Sequence, residues 1–234
     1  MSSPPFPAPE AVARLIDHTL LKPEATRADI DRLCDEAAAA GFCSVCVNPV
    51  HVRHAALRLG QAPVLVCSVA GFPLGAHRSE TKAFEAQRAI DDGAAEVDMV
   101  IHVGALRDGD RDAVRRDIAA VVDVCRRGAA RCKVILENAL LDAASIADGC
   151  LLAVEAGADF VKTSTGFGPG GATVADVALM ARVVSGSGLG VKAAGGIRTY
   201  EDLRLMVEAG ATRIGSSAGV RILEEARLRG GPSR

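Results

Sequence analysis

Three stretches of the chain share one pattern, and that pattern decides the fold: "DDGAAEVDMV" (91–100), "EAGADFVKTS" (155–164) and "EAGATRIGSS" (208–217). Each begins with acidic and small residues followed by a glycine, as at the end of a helix, where glycine readily adopts the left-handed conformation. Each then continues into a short run that is typical of a strand. A helix-to-strand step that recurs in this way predicts alternating strands and helices, and hence a parallel sheet.

The alternation extends along most of the chain. The strand candidates are 15–19, 44–47, 64–69, 96–102, 133–136, 160–163, 190–193 and 213–215. Eight strand–helix units in 234 residues predict a single (β/α)8 TIM barrel, and an open doubly wound sheet is the structural alternative. We expect a barrel catalytic domain over 13–228, a disordered N-terminal lead-in over 1–12 and a flexible tail over 229–234.

Composition narrows the class of function. The formal net charge is -2 and aromatic residues make up 3 % of the chain, which argues against nucleic-acid binding by phosphate electrostatics or by base stacking. No apolar run approaches the roughly 18 residues that span a bilayer, so no membrane partner is expected. The seven cysteines are odd in number and scattered, which favours free thiols and a cytoplasmic location.

Several strand candidates contain charged residues, and three of these residues indicate chemistry. Lys162 follows Val161 in the sixth candidate, Lys192 follows Val191 in the seventh, and Asp98 lies within the fourth. Alternate residues of a barrel strand face the helices and the barrel axis, so the apolar neighbours direct these three side chains inward. Catalytic groups in this fold lie at the C-terminal ends of the strands, and we therefore predict a catalytic site of Lys162, Lys192 and Asp98.

Two inward lysines on adjacent strands indicate Schiff-base chemistry. A lysine is a nucleophile only when it is neutral, and both burial and a second ammonium group disfavour the charged form. The alternative is that each lysine is ion-paired with an inward carboxylate such as Glu96, Asp98 or Glu137.

Glycine-rich loops follow the last two strands. "AAGGIRT" (193–199) and "GSSAGV" (215–220) occupy the positions where this fold often binds phosphate, at exposed backbone N–H groups and a helix N-terminus. Ordinary turns and a helix cap are the alternative. The predicted phosphate site consists of Gly195, Gly196, Ser216 and Ser217, with Gly166 opposite them.

Two further motifs are weaker. "GFGPGG" (166–171) matches the dinucleotide-binding pattern, but no acidic residue stands where the ribose would bind, so we expect no dinucleotide. Cys43 and Cys46 have the spacing of a metal-binding pair, but without a second pair they are expected to be core residues.

Six motifs follow one another along the chain: "DHTLLKPEAT" (17–26), "AGFPLGA" (70–76), "EVDMVIHVGAL" (96–106), "FVKTSTGFGPGGAT" (160–173), "VKAAGGIRT" (191–199) and "RIGSSAG" (213–219). Taken together, these motifs resemble the deoxyribose-phosphate aldolases. The resemblance implies a class I aldolase, without metal or cofactor, that reversibly cleaves 2-deoxy-D-ribose 5-phosphate to D-glyceraldehyde 3-phosphate and acetaldehyde in deoxyribonucleotide catabolism. It also implies a homodimer or higher homo-oligomer.

The same resemblance assigns roles to individual residues. It implies that Lys162 forms the Schiff base, that Lys192 perturbs it and takes part in proton transfer, and that Asp98 relays protons. The chain departs from the family at Phe167, where some members carry lysine, and at Asn138, where threonine is expected. Its tail, "RGGPSR", also lacks the tyrosine of some members.

Two other functions compete with this one. A phosphosugar isomerase could use Asp98 as its base and the same phosphate loops, but it would not require two adjacent lysines. A barrel that binds a sugar phosphate as a sensor, without catalysis, would not require the full set of Lys162, Lys192 and Asp98.

Overall fold

The computed structural model describes residues 8–229, and its centre is a closed barrel of eight parallel strands. The strands follow one another around the barrel in chain order, and the last pairs with the first. The closed sheet confirms the predicted (β/α)8 barrel and excludes the open doubly wound sheet. The strands are β1 (Ile16–Leu20), β2 (Ser44–Val47), β3 (Leu65–Ala70), β4 (Glu96–Val100), β5 (Arg131–Ile135), β6 (Phe160–Lys162), β7 (Gly190–Ala194) and β8 (Arg213–Ser216).

Helices connect the strands and cover the outside of the barrel. Every predicted strand is present, with its ends displaced by up to two residues. Two short 3-10 helices, Pro49–His51 and Asn138–Leu140, follow β2 and β5. The α-helices are α1 (Pro9–Ala13), α2 (Arg27–Ala40), α3 (Val52–Leu59), α4 (Ser79–Asp91), α5 (Val103–Arg107), α6 (Arg111–Arg127), α7 (Ala143–Ala156), α8 (Val174–Val183), α9 (Tyr200–Glu208) and α10 (Gly219–Arg229).

The glycines of the three repeated stretches end or closely follow their helices, as predicted. Gly93, Gly157 and Gly210 have φ angles of 111°, 75° and 110°, which a side chain would disfavour. Thr26 begins α2 and Thr199 begins α9, and each forms a reciprocal capping box with an aspartate three residues later. These local signals set where each strand starts, and therefore which residues reach the same end of the barrel.

The N-terminal boundary differs from the prediction. Helix α1 begins at Pro9 and buries Val12 and Ala13, so the lead-in predicted over 1–12 is wrong for residues 9–12. Proline is favoured in the first turn of a helix because its fixed φ angle is already helical. The helix that begins at Pro9 then buries its apolar C-terminal residues, Val12 and Ala13. Residues 1–7 of the predicted lead-in and 230–234 of the predicted tail lie outside the described residues, and α10 extends to Arg229.

Alternate side chains of a strand face the helices and the barrel interior, as the sequence predicts. In β4, Val97 and Met99 belong to the apolar core around the barrel, whereas Glu96 and Asp98 form ion pairs with side chains of other strands. The barrel interior therefore contains a charged layer within an apolar shell. Among residues 8–229, no helix is both long enough and apolar enough to cross a membrane.

Candidate active site

The three predicted catalytic residues meet at one carboxylate, that of Asp98. Lys162 Nζ lies 2.8 Å and Lys192 Nζ lies 2.7 Å from Oδ2 of Asp98. A third lysine, Lys133, lies 2.6 Å from Oδ1. The strand register produces this meeting, because Lys162 is level with Lys192 and Asp98 is level with Lys133.

Asp98 is an ionised carboxylate in this arrangement. Its complete burial would raise the pKa of the carboxyl group, but the ammonium groups of Lys133, Lys162 and Lys192 hold that pKa well below its usual range. Asp98 can therefore accept hydrogen bonds from all three lysines at neutral pH.

Lys192 is held between two carboxylates. Its Nζ lies 2.5 Å from Oδ2 of Asp17, in addition to the contact with Asp98. Burial opposes the charged form, but Asp17 and Asp98 outweigh it and raise the pKa of Lys192 above its ordinary value. Lys192 is therefore an ammonium group, and the ion-pair alternative holds for it.

A second group of ion pairs adjoins Asp98. Lys133 lies 2.7 Å from Glu96, and Arg213 lies 2.7 Å from Asp17 and 2.9 Å from Glu96. Three members of this group, Asp17, Lys133 and Arg213, were not predicted from the sequence. Strand parity, which placed Lys162 inward, could have identified all three, since each lies within a strand candidate.

One cavity of about 420 Å³ opens at the C-terminal ends of the strands, beside Lys162. All five predicted phosphate residues line it together with Lys162: Gly166, Gly195, Gly196, Ser216 and Ser217. Lys22 and Arg198, which the prediction did not include, also line it, and neither forms an ion pair with another described residue. The cavity therefore brings together positive charge, glycine-rich loops and Lys162, whose amine contacts Asp98.

The charged cluster inside the barrel leaves one lysine accessible. Four buried cations meet three buried carboxylates there, and the exposed Arg131 reaches one of them, Glu96, at 3.7 Å. Among the described residues, Lys162 is the only one of the four buried cations that lines the cavity. A nucleophilic lysine has to meet its substrate in the cavity, and Lys162 fulfils this requirement. The buried members of this Asp98 cluster are Lys133, Lys162, Lys192 and Arg213, with Asp17, Glu96 and Asp98.

The hydroxyl group of Ser216 is already engaged in the loops. It donates a hydrogen bond to the carbonyl oxygen of Ile197 at 2.7 Å and accepts one from the N–H of Ala218 at 3.0 Å. Ser216 therefore joins the loops after β7 and β8, whereas Ser217 is exposed. At Gly195 and Gly196 the φ angles are 89° and 82°, so the turn between them requires glycine.

The positions where the chain departs from the family have different surroundings. Phe167 lines the cavity and packs edge-on against Phe72, with ring centroids 5.4 Å apart. Asn138 is buried outside the cavity, and its side-chain nitrogen lies 3.3 Å from the sulfur of Met180. Glu137, suggested above as a lysine partner, instead accepts hydrogen bonds from Thr165.

Two buried clusters bring possible metal ligands within 4.8 Å of one another: Cys46, Cys67 and Asp98, and Asp17, Cys67 and Glu96. The ammonium group of Lys133 already contacts Cys67 at 3.1 Å and both Glu96 and Asp98 more closely. A cation would have to displace that ammonium group. The expectation of an enzyme without metal or cofactor stays a prediction.

Known proteins resemble this chain over nearly its whole length. A family model described as "DeoC/LacD family aldolase" matches residues 11–226. The deoxyribose-phosphate aldolase of Thermococcus gammatolerans is 59 % identical over 218 residues, which are 92 % of this chain and 96 % of the relative. The deoxyribose-phosphate aldolase of Geobacillus sp. (strain WCH70) is 59 % identical over 213 residues, which are 91 % of this chain and 95 % of that protein.

A solved structure shows the same similarity in three dimensions. The deoxyribose-phosphate aldolase from Aeropyrum pernix, described as having a unique tetrameric structure, superposes with a TM-score of 0.87 at 39 % sequence identity. The match covers 95 % of this chain and 93 % of that one.

Proposed function

The chain belongs to the DeoC/LacD family of aldolases, and we propose that it reversibly cleaves 2-deoxy-D-ribose 5-phosphate to D-glyceraldehyde 3-phosphate and acetaldehyde through a Schiff base on Lys162. Two relatives at 59 % identity bear the name of this aldolase, which supports the reaction and the substrate. The observation that carries the residue assignment is that Lys162 belongs both to the Asp98 cluster and to the wall of the cavity. An isomerase or a sensor would have no use for this lysine.

The first step forms the Schiff base. The neutral amine of Lys162 attacks C1 of the open-chain aldehyde. The former carbonyl oxygen takes up one proton from the amine and one from a general acid and leaves as water, giving a protonated imine. Lys162 is 3 % exposed, so its amine is almost fully buried at the edge of the cavity. Lys192 remains an ammonium group beside it, and both nitrogen atoms contact Oδ2 of Asp98.

The second step breaks the bond between C2 and C3. The C3 hydroxyl group loses its proton, the electrons of the C2–C3 bond pass to the protonated imine, and D-glyceraldehyde 3-phosphate leaves an enamine on Lys162. Asp98, 2.8 Å from Lys162, is the carboxylate that we assign to this proton transfer, directly or through a water molecule. Protonation of the enamine at C2 and hydrolysis of the imine release acetaldehyde and restore Lys162.

The phosphate fixes the position of the substrate. Backbone N–H groups of the glycine-rich loops and the N-terminus of α10 are suited to an anion, and Lys22 and Arg198 add positive charge. Because the phosphate is remote from the reacting carbons, its binding energy orients C1 toward Lys162. These phosphate-binding roles are part of the proposal.

The proposal also covers the oligomeric state of the protein and its location in the cell. The tetramer described for the Aeropyrum pernix relative supports a homo-oligomer, and the number of subunits stays open between a dimer and a larger assembly. A cytoplasmic location is supported by the seven cysteines, all of which are free thiols in the structure.

Trapping of the imine tests the proposed nucleophile. The protein is incubated with acetaldehyde, reduced with borohydride and digested for mass spectrometry. We expect an ethyl group on Lys162, and no stable ethyl group at that position in Lys162→Leu. A folded protein that is modified only at other lysines would contradict the assignment, and loss of activity on treatment with a chelator would contradict a metal-free mechanism.

A further inference from the structure

Glu137 is a buried carboxylate that the mechanism above does not use. It follows β5, is 3 % exposed, does not line the cavity and forms no ion pair with a described lysine or arginine. Its backbone has a φ angle of 58°, a left-handed conformation that non-glycine residues adopt only when their surroundings hold them there. These surroundings belong to the loop after β6.

The carboxylate of Glu137 binds that loop through Thr165. The hydroxyl group of Thr165 donates to Oε2, and the N–H of Thr165 lies 3.3 and 3.4 Å from the two carboxylate oxygens. The Thr165 hydroxyl oxygen in turn accepts a hydrogen bond from the N–H of Phe167 at 3.0 Å. At Gly168 a Cβ atom would lie 2.8 Å from the Glu137 carboxyl carbon, so the loop packs directly against the acid.

The segment held in this way contains Gly166. Gly166 lies between Thr165 and Phe167, has a φ angle of 85° and lines the cavity opposite the β7 and β8 loops. We propose that Glu137 is a positioning residue for phosphate recognition, which holds residues 165–168 so that Gly166 keeps its place in the cavity wall. This inference rests on the proposed function, because it assumes that the phosphate of a sugar phosphate binds there.

Glu137→Gln is the direct test. The substitution keeps the size of the side chain but replaces one acceptor oxygen with an NH2 group, which cannot accept from Thr165. Since hydrogen bonds to a charged group are the stronger ones, we expect KM for 2-deoxy-D-ribose 5-phosphate to rise about tenfold while kcat changes less than about threefold. For unphosphorylated 2-deoxy-D-ribose, kcat/KM should stay within about twofold, because that substrate makes no use of the phosphate wall.

Two matched variants separate positioning from general damage to the loop. Ser164→Ala removes a neighbouring buried hydroxyl group whose oxygen has no hydrogen-bond partner among the described residues, and it should leave both substrates unaffected. Thr165→Ser retains the hydroxyl group that donates to Glu137, and it should keep KM for the phosphorylated sugar near the wild-type value.

The outcomes distinguish this inference from the proposed function. An equal loss for both sugars in Glu137→Gln, or an unchanged KM for the phosphorylated one, would overturn the positioning role. A wild-type protein that cleaves neither sugar would instead contradict the proposed function. Acetaldehyde and borohydride should still modify Lys162 in Glu137→Gln, since the reacting end of the site does not contact Glu137.

Discussion

At the scale of single residues, the site depends on lysines whose surroundings differ although their burial is similar. Lys133, Lys162 and Lys192 all contact Asp98, and each is at most 3 % exposed. Lys133 and Lys192 have further carboxylates beside them, whereas Lys162 is next to the cavity. The proposed nucleophile is therefore distinguished by its access to the cavity rather than by residue type.

Lys133→Met tests whether Asp98 depends on its third lysine. Burial favours the protonated carboxyl group and Lys133 opposes it from 2.6 Å, so the pKa of Asp98 should rise in the variant. We expect kcat/KM near pH 7 to fall by about tenfold and the acidic limb of the pH–rate profile, on which Asp98 takes up its proton, to move to higher pH. Steady-state kinetics between about pH 5 and 10 measure both effects.

Lys82→Met provides the matched control. Lys82 is also fully buried and is paired with a carboxylate, Asp117, at 2.6 Å, but this pair joins α4 to α6 outside the site. Its loss should lower the free energy of unfolding without moving the pH–rate profile. Equal shifts of the profile in both variants would contradict the dependence of Asp98 on Lys133.

At the scale of elements, the loops after β6 and β7 are joined through their backbones. The N–H of Ala172 donates a hydrogen bond to the carbonyl oxygen of Gly195 at 3.0 Å. A Cβ atom at Gly171 would lie 2.3 Å from that same oxygen, which is far closer than any real contact. The two loops that line the phosphate end of the cavity therefore take their spacing from one another.

Gly171→Ala should separate these loops. Because the obstructing atoms are backbone atoms, the β7 loop has to move, and we expect KM for the phosphorylated sugar to rise at least about tenfold with a stability loss of about 1–3 kcal/mol. Kinetics and urea unfolding measure these changes. Gly104→Ala is the control: its Cβ would lie 3.4 Å from the His102 ring, an ordinary contact, and wild-type KM is expected there.

At the scale of the whole molecule, the charged interior links stability to pH. Burial tends to raise the pKa of both Asp17 and Asp98, but the surrounding lysines lower both pKa values below the ordinary range. Both carboxylates therefore stay ionised in the folded barrel at pH values where the unfolded chain already binds protons. Their contribution to stability is complete above the unfolded pKa near 4 and is lost as pH falls below it.

Acid unfolding measures this contribution. The free energy of unfolding should change little between pH 7 and about 5 and decrease progressively below about pH 4, as determined by urea titration at each pH. Asp98→Asn removes one of the two carboxylates, and its stability should depend less steeply on pH over the acidic range. Parallel curves for the two proteins would show that Asp98 is not linked to folding in this way.

Three large apolar side chains are exposed in one area of the outer surface. Val50 is 81 %, Leu57 75 % and Phe84 66 % exposed, and they lie on the neighbouring 3-10 helix, α3 and α4. If this area is the subunit interface, Phe84→Glu should reduce the molar mass measured by light scattering. Leu228→Glu changes a more exposed apolar residue, 85 % exposed on α10, and should leave the assembly intact; the reverse result would place the interface elsewhere.

Local patterns determined the barrel and the three central residues. The helix-ending glycines and the alternation within strands are properties of neighbouring residues, so the sequence predicted all eight strands and the inward direction of Lys162, Lys192 and Asp98. The aldolase family inferred by resemblance is confirmed by the family model and the relatives. The end of the lead-in was misplaced because burial of Val12 and Ala13 in the core is a tertiary feature of α1 that the local sequence does not show.

The partners of these residues were decided by the tertiary structure alone. Asp17 lies on the first strand and Lys192 on the seventh, and only closure of the barrel and its strand register bring their side chains to 2.5 Å. The same long-range register gives Asp98 a third lysine, leaves Lys162 beside the cavity and directs Glu137 to the β6 loop instead of to a lysine. The side of the sheet that a residue faces depends only on its place in its own strand. The residue that it meets across the barrel depends on the register of every strand between the two.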